Sequence, residues 1–266
     1  MPIDTMDKLI AAMPGQHRPL HKAAAGAEGG GTWHSVWRVA GMPGAGAVPP
    51  TGNGVVPTRL TPGAIAMANP GGVNKLYLAR FAISSTAVST VILYDRLWHN
   101  SGFVGNVITA QTIATPPTIT RPNANGEGVE LWMEVYTAMG ATASVFTVTY
   151  TNQDGVAGRT SSYSMPANAL AVGQMVPFML DAGDTGVRTV TQVQLSASTG
   201  TAGDFGLVLL RRVAELPITL VNTGVDRDAF ALGMPEIFPD ACLALQMLCS
   251  TTSSGNIMGA VAFIEG

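Results

Sequence analysis

At 266 residues the chain is long enough to bury a core that folds without disulfide or metal staples. Hydrophobic residues make up 47% and charged residues only 12%, about half the ordinary share, the difference being filled by Ala, Gly, Thr, Ser and Val. A formal net charge of -3 with scattered Lys and Arg offers no footprint for direct nucleic-acid binding, and no apolar run approaches the ~20 residues of a bilayer span.

So few charges predict a surface that meets other protein chains, because a lone monomer ordinarily carries more charge for solubility. The N-terminus has no basic segment followed by an apolar core, so synthesis in the cytoplasm is expected. Asp4 to Ala12 reads as a short helix capped by Asp4, with Met6, Leu9, Ile10 and Met13 as its apolar stripe and Pro14-Gly15 as its stop. A helix this short needs a docking surface. From there to Gly72 the chain is rich in Gly, Pro and Ala, with breaks at Gly29-Gly30-Gly31, Pro43-Gly44, Pro49-Pro50 and Pro70-Gly71-Gly72. One apolar island, Trp33 to Val39, reads as a strand with Trp33, Trp37 and Val39 on one face. Residues 1–72 are therefore read as an N-terminal arm carrying the helix, and residues 73–266 as a β domain. Met6, Leu9, Ile10, Trp33 and Trp37 are the candidate interface residues, expected to bury themselves in a neighbouring subunit.

From Val73 onward strand signals are dense: Leu76 to Ile83, Val88 to Arg96, Gly102 to Ala110, then Val129 to Tyr136. In that last run the odd positions are aliphatic and the even ones are Glu130, Trp132, Glu134 and Tyr136, the period-2 pattern of a strand with one buried face. Returning strands around Phe146 to Tyr150 and Arg159 to Tyr163, joined through Asn152-Gln153-Asp154-Gly155, complete an expected three-stranded meander. Further strands are expected at Met175 to Leu180, Val187 to Ser196, Asp204 to Val213, Ala241 to Cys249 and Ile257 to Ile264. Leu216 to Asp240, punctuated by Pro217, Pro235 and Pro239, reads as a long crossing connection. Many short strands without amphipathic helices between them give an all-β fold, an antiparallel β-sandwich of jelly-roll or Greek-key type with an extended N-terminal arm.

Candidate chemistry is sparse. Glu130, Trp132, Glu134 and Tyr136 share one strand face, and rings beside carboxylates suit a glycan cleft. Glu130-Leu131-Trp132-Met133 resembles the nucleophile strand of jelly-roll endoglucanases, Glu-Leu-Met-Ile-Trp, with the aromatic displaced. Four residues along a strand is about 13 Å, beyond the ~5–9.5 Å of glycosidase carboxylate pairs, so either acid needs a partner from another strand. His17 and His21 have the spacing of a helical metal pair, but Pro19 between them denies the helix. His99 follows Trp98 at a strand end, where it reads as a polar cap. Cys242 and Cys249, seven apart in one strand, lie on opposite faces roughly 23 Å apart and read as buried hydrophobes. The Gly-rich stretches at Gly26 to Gly31 and Gly41 to Gly46 fit neither the dinucleotide nor the phosphate-loop template and read as linkers. No catalytic, cofactor-binding or metal residue is assigned.

Leu76 to Arg80 with Leu93 to Phe103, and Ala182 to Arg188 with Leu195 to Thr201, resemble stretches in structural proteins of tailed-bacteriophage virions. The resemblance implies a non-enzymatic β-sandwich of the virion, made in the host cytoplasm and carried on the particle, and it supplies no functional residues. The resulting expectation is a capsid decoration or cement protein that forms a homo-oligomer, a trimer being one candidate. Its other partners would be the major capsid protein or other virion proteins, with neither nucleic acid nor membrane. A tail or adsorption component, and a glycan-binding protein or glycoside hydrolase on the Glu130/Trp132/Glu134/Tyr136 face, are the alternatives.

Overall fold

The computed structural model describes residues 3–13, 15–24 and 30–266; Pro14, the expected helix stop, and residues 26–29 of the first Gly-rich linker lie outside them. Helix α1 (Met6–Ala12) opens the chain. Its N-cap is Thr5, whose hydroxyl accepts from the Lys8 amide at 3.3 Å, whereas Asp4 accepts from the Lys8 ammonium at 2.6 Å. Strands β1 (Gln16–Lys22), β2 (Thr32–Ser35), β3 (Gly41–Met42), β4 (Leu76–Ser85) and β5 (Ser89–His99) follow. The middle of the chain gives β6 (Gln111–Thr112), β7 (Val129–Thr137), β8 (Ser144–Asn152), β9 (Arg159–Met165), β10 (Gln174–Phe178) and β11 (Val187–Leu195). The remainder is β12 (Asp204–Ile218), β13 (Val225–Asp228), the one-turn helix α2 (Ala229–Leu232), β14 (Glu236–Ile237), β15 (Leu243–Cys249) and β16 (Ile257–Glu265). No described helix is long and apolar enough to cross a membrane.

The fold is all-β and antiparallel, with sheets stacked face to face. At its centre six strands close into a barrel in the order β10-β2-β15-β5-β12-β7. One side of the barrel carries a sheet ordered β13-β4-β16-β1-β3, with β14 also on β4; the other carries β6-β11-β8-β9. The first interlayer core joins Phe81, Ile83, Val261 and Phe263 to the barrel's Val91, Leu93, Leu216 and Leu245. The second joins Phe146, Val148, Val190 and Val193 to the barrel's Leu131, Met133, Val135, Leu207 and Leu209. A third, smaller cluster of Ile92, Tyr94, Trp132, Met175, Val208 and Leu210 fills the barrel itself.

These layers explain where strand patterning departs from expectation. In β8 burial alternates strictly, Phe146, Val148 and Tyr150 inward and Thr147 and Thr149 toward solvent, as a flanking sheet requires. In β7 seven of the nine residues are buried, because its odd face meets a flanking sheet while its even face points into the barrel. The expected meander is therefore not formed: β8 pairs with β9 and β11, whereas β7 pairs with β10 and β12. A strand needing cover on both faces belongs in the middle layer.

Two other expectations change. Gly102 to Ala110 is not a strand: Gly102 has φ +90°, and only Phe103 bridges, to Phe205. The stretch from Leu216 to Asp240 is not a bare connection, since β12 continues through Pro217 to Ile218 and β13, α2 and β14 lie within it. Pro217 falls opposite Thr90 in β5.

The segment over residues 1–72 lays α1 on the six-stranded sheet, adds β1 to that sheet beside β16, and supplies β2 to the barrel between β15 and β10. The Trp33–Val39 island is strand only as far as Ser35. Beyond it the chain turns, so Trp33 and Trp37 part company.

Candidate functional site

The even face of β7 lines the barrel, and its two halves have different fates. At the deep end Glu134 is 1% exposed and its Oε2 accepts a short hydrogen bond from Nη2 of Arg96, itself 2% exposed. The Tyr136 hydroxyl donates to the same carboxylate oxygen at 3.2 Å and accepts from Arg96 at 3.3 Å. Arg96 Nε donates to Nδ1 of His99 at 2.7 Å, and the guanidinium lies 5.0 Å from the ring centre of Trp37. Burial, and then the Arg96 charge, push the His99 imidazole down to about 2, so this ring is neutral. Burial beside Glu134 pushes the Tyr136 phenol well above its ordinary range. The result is a satisfied polar plug. Such a network fixes one arrangement of the strands around it and has no access to a substrate.

At the other end the barrel opens into a cleft of about 700 Å3 whose walls include Gly128 and the start of β7 as far as Trp132, Pro177 to Leu180, Trp33 and Arg212. The mouth opens here because β2 pairs with β10 only at Trp33 and His34, leaving Pro177 and Phe178 without a partner on that side. Glu130 sits at the rim. Its Oε2 accepts from the Tyr94 hydroxyl at 3.0 Å and from the Trp132 indole N–H at 2.8 Å, and its Oε1 accepts from Arg212 Nε at 3.2 Å. Arg212 also donates to Glu215 and lies 5.5 Å from the ring centre of Tyr94. Trp132 is edge-on to Trp33 and to Tyr94, with ring centres 5.5 and 6.2 Å apart.

Glu130, Trp132, Glu134 and Tyr136 thus share a face, as their alternation requires, but not an environment. Glu134 is sequestered with Arg96, so the two carboxylates of this strand do not meet in one cleft. Of the candidate interface residues, Trp37 is buried against Ala64, Cys242 and Ala244, and Trp33 joins the barrel mouth. Leu9 docks α1 against Ala79, Ala229 and Ile264, while Met6 and Ile10 remain 56% and 60% exposed. His17 and His21 lie in β1, on a strand rather than a helix. Cys242 and Cys249 are both buried, and burial pushes the Cys242 thiol up to about 12.

Sequence reasoning missed Tyr94, Arg96 and Arg212 as site residues. A signal was present for Arg96: Asp95-Arg96 interrupts an otherwise apolar run from Val91 to Trp98, and charges inside such a strand must find partners. Asp95 faces the other way and pairs with Arg121 at 3.1 Å.

No family model matches the chain, and no curated protein matches it. Among solved structures the chain is similar to that of infectious bursal disease virus Gt strain at 12% identity, covering 94% of this chain and 81% of that one, with a TM-score of 0.21. It is likewise similar to the VP2 subviral particle of infectious bursal disease virus, at 11% identity, 94% and 80% coverage and a TM-score of 0.23. Likeness at these TM-scores carries neither fold nor function over to this chain. Its own surfaces have to carry them.

Proposed function

We propose that the chain is a non-enzymatic structural protein of a virus particle, a decoration or cement subunit that stabilises a phage head by tying neighbouring subunits together. The observation that carries this reading is the split stripe of α1. Leu9 is spent on holding the helix to its own sheet, while Met6, Ile10 and Met13 face away and stay exposed at 56%, 60% and 47%. Phe230 of α2, on the face where α1 docks, is 64% exposed. Large apolar side chains displayed by two short helices, on a protein with only 12% charged residues, suit a surface that is covered in an assembly. The resemblance of the Leu76–Arg80, Leu93–Phe103, Ala182–Arg188 and Leu195–Thr201 stretches to tailed-phage virion proteins supports the same reading. Partners would be further copies of the chain and the capsid protein. Stabilisation would follow from mass action, because a subunit that binds only the assembled lattice shifts the equilibrium toward it.

The test is light scattering of the full-length chain, followed by co-sedimentation with phage heads and, separately, with tails. Ile10→Glu and Phe230→Glu should leave the monomer folded and abolish both the oligomer and head association. A wild-type chain that stays monomeric and pellets with neither heads nor tails overturns the proposal. Pelleting with tails alone transfers it to a tail or adsorption component. Deleting residues 1–72 is not a usable test, since it strips β1 and β2 from two sheets.

A further inference from the structure

We propose that the barrel mouth is a saccharide-binding site, in which Trp33 stacks against a pyranose ring while Glu130 and Arg212 hydrogen-bond its hydroxyls. The first support comes from the tryptophans. Trp37, Trp98 and Trp132 are almost wholly buried, and their indole N–H groups donate to Ala47 O, Asn53 O and Glu130 Oε2 at 3.1, 3.1 and 2.8 Å. Trp33 is half-buried, and among the described residues no hydrogen bond engages its N–H. A half-exposed aromatic ring that lines the cleft with a donor unspent suits a ligand that is apolar on its C–H faces and polar at its rim.

The second support is the Glu130–Arg212 pair. Tyr94 and Trp132 both donate to Oε2 of Glu130, which fixes the carboxylate and, among the described residues, leaves Oε1 bonded to Arg212 alone. Oε1 has a second lone pair, and the Arg212 guanidinium carries five N–H donors, of which Nε is spent on Glu130 and Nη1 on Glu215. A fixed acceptor next to fixed donors matches adjacent hydroxyls of a sugar, one donating to the carboxylate and the other accepting from the guanidinium.

Charge and polarity argue against two competing ligand classes, anions and wholly apolar molecules. The pair is neutral in sum and Glu215 adds a negative charge beside it, so the site does not attract an anion such as phosphate. An apolar ligand would strip water from Glu130 and Arg212 without replacing their hydrogen bonds. A neutral polyhydroxylated ring satisfies both constraints, and a cleft of about 700 Å3 accommodates one or two sugar units at the end of a longer glycan. The face bearing α1 and α2 plays no part, so this site stands independently of the assembly role.

The experiment is a titration of the full-length chain with methyl pyranosides of glucose, galactose, mannose and N-acetylglucosamine, followed by tryptophan fluorescence and by saturation-transfer NMR. A printed array of bacterial surface glycans extends the panel. At least one glycoside or glycan should bind saturably, with a single sugar in the millimolar range, and Trp33→Ala should weaken it at least tenfold. Glu130→Gln and Arg212→Gln, at the solvent-exposed rim, should each weaken it severalfold and decide the matter if Trp33→Ala fails to fold. Absence of binding across the pyranosides and the array overturns the proposal, as does binding that all three variants leave unchanged. Ile10→Glu, which targets assembly, should bind sugar as the wild type does.

Discussion

The polar residues buried inside the barrel illustrate how unequal two such groups can be. Arg96 and Glu134 satisfy each other, with Tyr136 and His99 taking up remaining capacity. Removing one partner leaves a buried charge unpaired, so Glu134→Met should destabilise by about 3 kcal/mol and Arg96→Met by a similar amount. The double variant Arg96→Met/Glu134→Met should cost less than either single change, because no uncompensated charge is left. Denaturant melts of the four proteins check this; additive losses would show that the pair is not coupled. Gln246 is the opposite case. It is 2% exposed, neither polar atom of its amide has a hydrogen-bond partner among the described residues, and it lines a cavity of about 10 Å3 with Ser35, Tyr94 and Arg96. Gln246→Met keeps the length of the side chain and removes two unsatisfied polar atoms, so it should raise stability by about 1 kcal/mol. A lower melting temperature for this variant would contradict that assignment.

At the scale of the element, β12 shows why a barrel can close here. It runs 15 residues between β5 and β7, with register shifts against both. A Cβ on Gly206 would come within 1.8 Å of the Asn100 carbonyl oxygen, so the strand reaches that carbonyl only because residue 206 has no side chain. Nearby, the Asn100 amide donates to Leu207 O at 3.1 Å and the Leu207 amide to Asn100 Oδ1 at 2.8 Å. Gly206→Ala should cost about 3 kcal/mol by prising these strands apart, measurable as a fall in the denaturation midpoint. Little of this is legible in sequence. The positions of most strands were readable, because alternation in β8 or continuous apolarity in Leu207–Leu210 is written residue by residue. Their pairing was not, since a period of two states that a face is buried without saying by which layer. Glu130 and Trp132 were readable as a stripe for the same reason. The difference between an open Glu130 and a sequestered Glu134 depends on Arg96 and Arg212, which arrive from β5 and β12.

Across the whole molecule the chain repeatedly leaves one layer for another: β4 to β5, β7 to β8, β9 to β10, β11 to β12 and β15 to β16 each pass between a flanking sheet and the barrel. No continuous segment builds a layer alone, so heat or denaturant should unfold the protein in one transition. Stability should also fall in mild acid, through two histidines. His34, 2% exposed and 2.9 Å from the Thr32 hydroxyl, is pushed down by burial to about 4, and His99 to about 2. Both rings are neutral in the folded chain at pH 5, whereas in the unfolded chain they titrate near 6.5. Between those values the unfolded state binds more protons, so stability is full above about pH 6.5 and declines as the pH falls below it. At pH 5 the loss amounts to about 2 kcal/mol for each histidine. His34→Gln with His99→Gln, the latter keeping an acceptor for Arg96 Nε, should flatten the dependence between pH 7 and pH 5 while lowering stability at pH 7. An unchanged slope in that double variant would place the acid sensitivity elsewhere in the chain.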